Sequence, residues 1–173
     1  MANNEKRGRE AAAKGFAHEH IVAGILMKRY QNVSLVDLPL SSYDLIIVLK
    51  KNDNGYEEIV RGQVKTVGPS GSLSFTGGTR GGVDREYKSG VKSYVQSTKT
   101  SDIVIGIQAL ENDSFDLYFV PTILIEKLGQ KSISINKIQA LKNNADILEN
   151  CKNHAHILSK CAEYGIIKSD MPS

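Results

Sequence analysis

The stretch from residue 43 to residue 67, YDLIIVLKKNDNGYEEIVRGQVKTV, decides the fold. Residues 43–49 are mostly aliphatic and β-branched, which predicts a strand. The Asn-Gly pair that ends segment 51–55 is typical of a hairpin turn. Residues 59–67 return to apolar side chains and predict the second strand, so the whole stretch predicts a β-hairpin.

This hairpin should bring polar side chains together. A turn at residues 52–55 places the start of the first strand beside the end of the second, so Asp44 can meet Gln63 and Lys65. Because side chains alternate along a strand, Gln63 and Lys65 should share one face while Val64 points into the core. We therefore expect an acid, an amide and an amine around one point.

The flanking segments predict further elements. Residues 9–30 carry apolar side chains at helical spacing and predict an α-helix. Those side chains are Phe16, Ala17, Ile21, Ala23, Ile25 and Leu26. The apolar run 33–36 predicts a first strand. The Gly- and Ser-rich segment 68–82 predicts a long exposed loop, and residues 83–97 predict a helix with Tyr87, Val91, Tyr94 and Val95 on one side.

The remainder of the chain predicts a second hairpin and helices. Residues 102–109 and 115–120 are its strands, Pro121 begins a short helix that ends at Leu128, and residues 136–164 are polar and helical. The order of elements predicts an α/β fold with a mixed central sheet flanked by helices. The first hairpin should lie in the middle of that sheet.

Composition excludes several classes of protein. The chain has 173 residues, 40% hydrophobic and 24% charged, which fits one ordinary globular domain. It contains no apolar run of about 18 residues, so we expect no membrane span, and the charged N-terminus lacks the apolar segment of a secretory signal. Cys151 and Cys161 do not form a disulfide framework, so a reducing cytoplasm is the expected location.

The basic residues fall into two groups. The net charge is +3 and the sequence pI is about 8.8, which suits a polyanionic partner without proving one. One group opens the chain: Lys6, Arg7, Arg9 and Lys14. The other lies in its middle: Arg80, Arg85, Lys88, Lys92 and Lys99. Together they indicate basic surface on both sides of the site that the middle of the chain builds.

The hairpin residues have the chemistry of phosphodiester hydrolysis, which needs hard oxygen ligands for a divalent metal, an activated water and a positive charge at the phosphate. The pattern Tyr43-Asp44, hairpin, Gln63-Val64-Lys65 resembles the metal-binding signature of the PD-(D/E)xK nuclease superfamily. Glu19 on the upstream helix is similar to the helix glutamate of its Holliday-junction resolvase branch. Residues 94–101, 102–105 and 118–121 resemble its homing endonucleases.

The resemblance covers roughly residues 9–128 and implies a restriction-endonuclease-like fold, with a nuclease core at 1–130 and a C-terminal helical extension at 131–173. It implies that Mg²⁺, or Mn²⁺, is bound by Asp44, Gln63, the Val64 carbonyl and Glu19. Lys65 would orient or deprotonate the attacking water and stabilise the phosphorane. The catalytic set is thus Asp44, Gln63, Lys65 and Glu19.

Two residues depart from the superfamily pattern. Tyr43 replaces the proline, which is common there. Gln63 replaces the second acid, and because an amide brings no charge, metal affinity should fall unless Glu19 or DNA phosphates compensate.

The Gly-rich segment of residues 76–85 and the residues that follow it should contact DNA. Residues 76–85 are not a phosphate-binding loop of the Gly-Lys-Ser/Thr kind. Arg80 and Arg85 can reach phosphates or a guanine edge, while Lys88 and Lys92 can touch the backbone. A flexible connector without a partner is the alternative.

Histidine and cysteine metal sites are not expected. His18 and His20 flank Glu19 on a helix and splay apart, so they cannot share an ion with it. Cys151, His154, His156 and Cys161 do not converge in helical phase.

The leading hypothesis is therefore a Mg²⁺-dependent, site-specific endonuclease for double-stranded DNA, of the type II restriction or homing type. A homodimer or homotetramer is expected because two strands are cut. We expect neither a membrane partner nor a small-molecule substrate. A structure-selective, resolvase-like nuclease is one alternative. A catalytically weakened DNA-binding module on the same fold is another, and an interaction domain unrelated to nucleic acid is a third.

Overall fold

The computed structural model of the chain describes residues 2–38, 41–49, 55–79 and 92–168. In chain order, the first half of the elements comprises α1 (Ala2–Met27), β1 (Asn32–Leu35), β2 (Leu45–Leu49), β3 (Glu58–Thr66), β4 (Ser72–Ser74), β5 (Thr76–Thr79) and β6 (Lys92–Val95). The second half comprises β7 (Ile103–Ala109), β8 (Phe115–Pro121), α2 (Thr122–Leu128), β9 (Ser132–Ser134), α3 (Ala145–Glu149) and α4 (His154–Glu163), with 3₁₀ helices at Glu111–Asp113 and Ile135–Leu141.

A mixed five-stranded sheet forms the centre of the molecule, in the order β1-β2-β3-β7-β8. The β3–β7 pair is parallel and the other pairs are antiparallel. The predicted first hairpin is β2 and β3, which pair from Leu45 opposite Gly62 to Leu49 opposite Glu58. The predicted α/β class, the mixed sheet and the inner position of the first hairpin are confirmed.

The core is built on both the sheet and the C-terminal helices. Ile103, Val104, Ile105 and Ile107 of β7 are fully buried, the continuous apolar pattern of a strand covered on both faces. The same hydrophobic cluster includes side chains from α1 and from residues 135–161. Among the described helices, none is long and apolar enough to cross a bilayer.

The predictions for the middle of the chain are wrong where the structure describes it. Segment 68–82 was predicted to be an exposed loop, but β4 pairs with β9 and β5 pairs with β6. Residues 83–97 were predicted to be a helix, but Lys92–Val95 is a strand. Leu73 and Phe75 are fully buried between polar neighbours, and burial on one face outweighs the glycine and serine content of the segment.

The C-terminal part is helical in shorter pieces than predicted. α2 begins one residue after Pro121, which ends β8. It stops where Gly129, at φ 61°, donates its N–H to the Ile125 carbonyl (3.0 Å), a left-handed cap that suits glycine. The predicted helix over 136–164 consists of a 3₁₀ helix, α3 and α4, and the short strand β9 precedes it.

Gly106 lets β4 pack closely on the central sheet. It lies opposite Lys65 in the β3–β7 register, and a Cβ added there would lie 2.8 Å from Cδ2 of Leu73. Because Leu73 is fully buried, Gly106→Ala should destabilise the protein by about 1–3 kcal/mol through overpacking. Thermal unfolding measures the loss.

The matched control for that substitution is Gly24→Ala. Gly24 lies in α1 with nothing within 4 Å of an added Cβ. Alanine there should stabilise the helix by about 0.5–1 kcal/mol. Equal unfolding temperatures for the wild type and the Gly106 variant would contradict the packing described here.

Candidate functional site

Asp44 is fixed by backbone and side-chain contacts at the entry to β2. Its N–H donates to the Gly62 carbonyl (2.9 Å) and its carbonyl accepts from the N–H of Val36 (2.8 Å). Its carboxylate Oδ2 accepts from the Val64 N–H (2.8 Å) and from Nε2 of Gln63. The hairpin therefore brings Asp44 and Gln63 together, as predicted.

Lys65 lies on β3, two residues after Gln63, and its side chain is half-buried. Burial lowers the pKa of its ammonium, while the negative charges of Asp44 and Glu19 raise it. Burial is the largest influence on the pKa of the Asp44 carboxyl and raises it. Lys65 in turn lowers that pKa. The ammonium and the Asp44 carboxylate are therefore electrostatic neighbours.

Glu19 joins this group from α1. Its pKa is raised to about 6, first by burial and then by the negative charge of Asp44, while His20 and Lys65 lower it. Two carboxylates and one ammonium thus influence one another at the end of the first hairpin. All four residues of the predicted catalytic set come together in the structure.

His18 anchors α1 so that Glu19 faces the hairpin. The His18 ring is buried, and its Nδ1 lies 2.7 Å from Oγ1 of Thr66 at the end of β3. Burial and then the charge of Lys14 lower the pKa of His18, which favours the neutral ring. His20 instead bonds the Phe16 carbonyl through Nδ1 (2.9 Å).

Glu19 carries an electrostatic cost in the metal-free protein. Since its folded pKa of about 6 exceeds the ordinary glutamate value of 4.5, the carboxylate destabilises the fold above pH 6, and the penalty is relieved as pH falls towards 4.5. Each pKa unit is about 1.4 kcal/mol. Discounted for the partial exposure of Glu19, Glu19→Gln should gain about 1 kcal/mol at pH 7.5 in EDTA.

Urea denaturation at pH 7.5 and at pH 4.5 checks this prediction. The gain should shrink at the lower pH, where the wild-type carboxyl is almost fully protonated in the folded state and about half protonated in the unfolded state. Glu10→Gln, an exposed glutamate on the same helix, is the control and should change little. A Glu19 variant no more stable than wild type at pH 7.5 would refute the electrostatic account.

The donor set suits a hard cation only in part. Asp44 and Glu19 offer carboxylate oxygens whose ionised forms are disfavoured by burial, and the charge of Asp44 further disfavours ionised Glu19; a divalent cation would relieve both effects. In the described part of the chain, no three His, Cys, Asp or Glu side chains converge as a metal site. A cation at Asp44 would therefore also need amide, backbone, water or DNA oxygens.

The C-terminal histidines and cysteines are dispersed. Cys151 and Cys161 are free and buried. His156 pairs with Asp146 through Nε2 (3.0 Å), and His154 is exposed.

The predicted DNA-contacting residues lie almost wholly outside the described structure. Arg80, Arg85 and Lys88 fall within 80–91, and of Lys92 only the backbone, at the start of β6, is described. Their role stays a prediction. Lys99 is exposed in the turn after β6.

Sequence reasoning missed two residues of the site. Gln96, which follows β6, donates from Nε2 to Oε1 of Gln63 (3.2 Å). Tyr94, predicted to lie in a helix, packs over Gly77. Burial raises the pKa of Tyr94, a hydrogen bond with Gln96 lowers it, and the charge of Asp44 raises it. The available signal was the period-two alternation of Ser93, Tyr94, Val95 and Gln96.

A separate cavity of about 630 Å³ lies elsewhere, lined by Arg29, Tyr30, Gln31, Asn32, Val48, Leu49, Glu57, Glu58 and Glu149. Glu149 accepts there from Arg29 (3.0 Å) and from the Tyr30 hydroxyl (2.9 Å). None of the predicted catalytic residues lines this cavity, and its Arg29 and Glu149 already pair with each other.

Comparison with known proteins finds little. No protein-family model matches the chain, and no curated protein matches it. Among solved structures the chain is similar to a bacterial homing endonuclease, at 15% sequence identity and a TM-score of 0.46, over 70% of this chain and 75% of that one. At this level of similarity, function has to be argued from the side chains of the site.

Proposed function

We propose that this chain is a metal-dependent DNA endonuclease of the PD-(D/E)xK type, with Gln63 at the second acidic position. One observation carries the proposal: two carboxylates, Asp44 and Glu19, and one ammonium, Lys65, lie within electrostatic reach of one another at the open end of the first hairpin, where the Val64 N–H holds the Asp44 carboxylate (2.8 Å). Burying charge is costly, and phosphodiester hydrolysis can use such charges to hold a cation and to stabilise the phosphate.

Asp44 and Glu19 are the proposed ligands of Mg²⁺, with Mn²⁺ as a substitute. The cation would supply Lewis-acid stabilisation of the phosphate. The two carboxylate ligands would come from separate elements, Glu19 from α1 and Asp44 from the residue before β2. The contact of His18 with Thr66 keeps α1 in place. The resemblance to the superfamily adds Gln63 and the Val64 carbonyl as candidate ligands.

Lys65 has two proposed roles. Its charge lies beside the carboxylates and offsets the negative charge that develops on the phosphate. Its pKa is lowered by burial, so a larger fraction of Lys65 than of an exposed lysine is neutral and available to accept a proton, and Lys65 can orient or deprotonate the attacking water.

Double-stranded DNA is the proposed partner. Arg80, Arg85, Lys88 and Lys92 would hold its phosphates beside the site, with Arg80 and Arg85 able to reach a guanine edge. Two copies of the chain, as a homodimer or within a homotetramer, would cut the two strands.

Incubation of supercoiled plasmid with the purified protein, in Mg²⁺ and in EDTA, tests the proposal. Nicked or linear DNA in Mg²⁺ alone supports it, and sequencing of the ends separates its forms. A fixed site indicates a restriction or homing enzyme, whereas ends that track branched DNA indicate a resolvase-like nuclease. Intact plasmid in both Mg²⁺ and Mn²⁺ rejects cleavage.

A second candidate is a DNA-binding module without cleavage. It is favoured by Gln63, which brings no charge and presents its amide nitrogen to Asp44. Such a module binds duplex DNA with an affinity that falls steeply as salt rises, yet leaves the plasmid intact in Mg²⁺.

A further inference from the structure

Gln96 is a buried polar residue beside the catalytic hairpin, with 1% of its surface exposed. Its side-chain oxygen Oε1 accepts from the hydroxyls of Thr100 (2.6 Å) and Ser101 (2.9 Å). Its nitrogen Nε2 donates to the Ser42 carbonyl and to Oε1 of Gln63, each at 3.2 Å. Every polar atom of the Gln96 side chain therefore has a partner.

The Ser42 carbonyl determines which way the Gln96 amide faces. Hydroxyls can donate or accept, but a backbone carbonyl can only accept. Turning the amide over would place its oxygen against the Ser42 oxygen, in a site where an unmet hydrogen bond is costly. Gln96 therefore presents a donor to Gln63.

The orientation of the Gln63 amide follows from that of Gln96. Its Oε1 is occupied by Gln96, so its Nε2 points to Oδ2 of Asp44 and to the Val64 carbonyl (3.2 Å), both of which are acceptors. If Gln63 turned its oxygen towards Asp44, two NH₂ groups would face each other and the oxygen would face two acceptors. The orientation in which Gln63 binds a cation at Asp44 is thus opposed from both ends.

The turn that carries Gln96 is itself held in place. The Gln96 N–H donates to the Phe75 carbonyl (2.8 Å). Arg61 donates through Nη2 to Oδ1 of Asp102 (2.8 Å) and to the Thr98 carbonyl (3.1 Å). Gln96 and the turn that follows it are therefore fixed against the central sheet.

We propose that Gln96 is a positioning residue that locks Gln63 as a hydrogen-bond donor to Asp44, so that Gln63 orients the carboxylate and does not ligate the cation. The cation is left with Asp44, Glu19 and oxygens from water or DNA. This inference rests on the proposed function for the cation, but the hydrogen-bond chain that carries it is independent of cleavage. It departs from the ligand set implied by the family pattern.

Mg²⁺ binding to Gln96→Met, Gln63→Met and the double variant, followed by calorimetry, tests the proposal. Loss of a residue that orients a ligand typically costs about 10- to 100-fold in metal affinity, so each single variant should bind Mg²⁺ at least about tenfold more weakly. Because Gln96 acts through Gln63, the double variant should bind no more weakly than Gln63→Met. Unchanged affinity in Gln96→Met, or a double variant whose loss is the product of the two, would overturn it.

A second measurement needs no variant, so it holds if Gln96→Met fails to fold. In the wild-type protein, the side-chain NH₂ protons of Gln63 should remain protected from exchange with water when Mg²⁺ is saturating, since they stay bonded to Asp44 and to the Val64 carbonyl. Loss of that protection, with a shift of the Gln63 amide carbon, would show direct ligation and overturn the proposal.

The two proposals fail in different ways. If the wild-type protein binds Mg²⁺ but leaves plasmid intact, and the variants show the predicted coupling, the nuclease proposal is rejected and the role proposed for Gln96 is kept. Cleavage without the coupling rejects the role of Gln96 alone. Wild-type protein that binds no Mg²⁺ rejects both.

Discussion

Replacement of Lys65 by alanine is expected to slow DNA cleavage by about 10²- to 10⁴-fold, the usual contribution of a positioned acid–base group. The ammonium is the positive charge beside Asp44 and Glu19, so its loss leaves two carboxylates facing the phosphate without compensation. The rate of plasmid nicking at saturating Mg²⁺ measures the effect.

Two further variants sharpen the result. Lys137→Ala removes the same charge from an exposed position on the 3₁₀ helix that follows β9, and it should cleave at the wild-type rate. Lys65→Arg keeps a charge but cannot release a proton, so it should recover little activity. Equal nicking by wild type and Lys65→Ala would end the enzyme interpretation.

Replacement of Asp44 by asparagine is expected to abolish both cleavage and stabilisation by Mg²⁺. Asparagine keeps an oxygen that can accept from the Val64 N–H and from Gln63, as Asp44 Oδ2 does, so the fold should survive. The missing charge removes a proposed ligand. A ligand at 100 times its dissociation constant stabilises a protein by about 2.7 kcal/mol, and this gain should disappear.

Thermal unfolding with and without Mg²⁺ measures that loss. Asp113→Asn is the control: Asp113 is exposed, and asparagine tolerates its positive φ of 55°. It should respond to Mg²⁺ like the wild type. If Asp44→Asn still gains stability from Mg²⁺, the cation binds somewhere else.

The first hairpin could be predicted because its determinants are local. Apolar, mostly β-branched residues mark β2 and much of β3, and a turn of a few residues fixes their pairing. Gln63 and Lys65 are two residues apart, so strand geometry alone places them on one face. Asp44 follows from the hairpin without any knowledge of the rest of the fold.

The strands over this site were missed for a different reason. Polar and apolar residues alternate over residues 72–76, SLSFT, with the period of a half-buried strand. Glycines on both sides outweighed that signal. The partner strands are also remote in sequence, since Leu73 pairs with Ile133. Pairing at such distances is set by the tertiary core.

The orientation of Gln63 lay beyond sequence reasoning altogether. The pattern shows an amide at the second acidic position, but which of its two atoms faces Asp44 depends on Gln96, 33 residues further along the chain. The resemblance included Glu19 in the site, but the contact that fixes its helix there joins His18 to Thr66, which are 48 residues apart. Such contacts join elements whose packing only the folded structure provides.

The most direct test of the central claim is a crystal structure of the protein with Mn²⁺, located by its anomalous scattering. We expect one ion bound by carboxylate oxygens of both Asp44 and Glu19, with the Lys65 ammonium beside it. A crystal saturated with Mn²⁺ that shows no ion at these two carboxylates, or an ion bound elsewhere, would contradict the account.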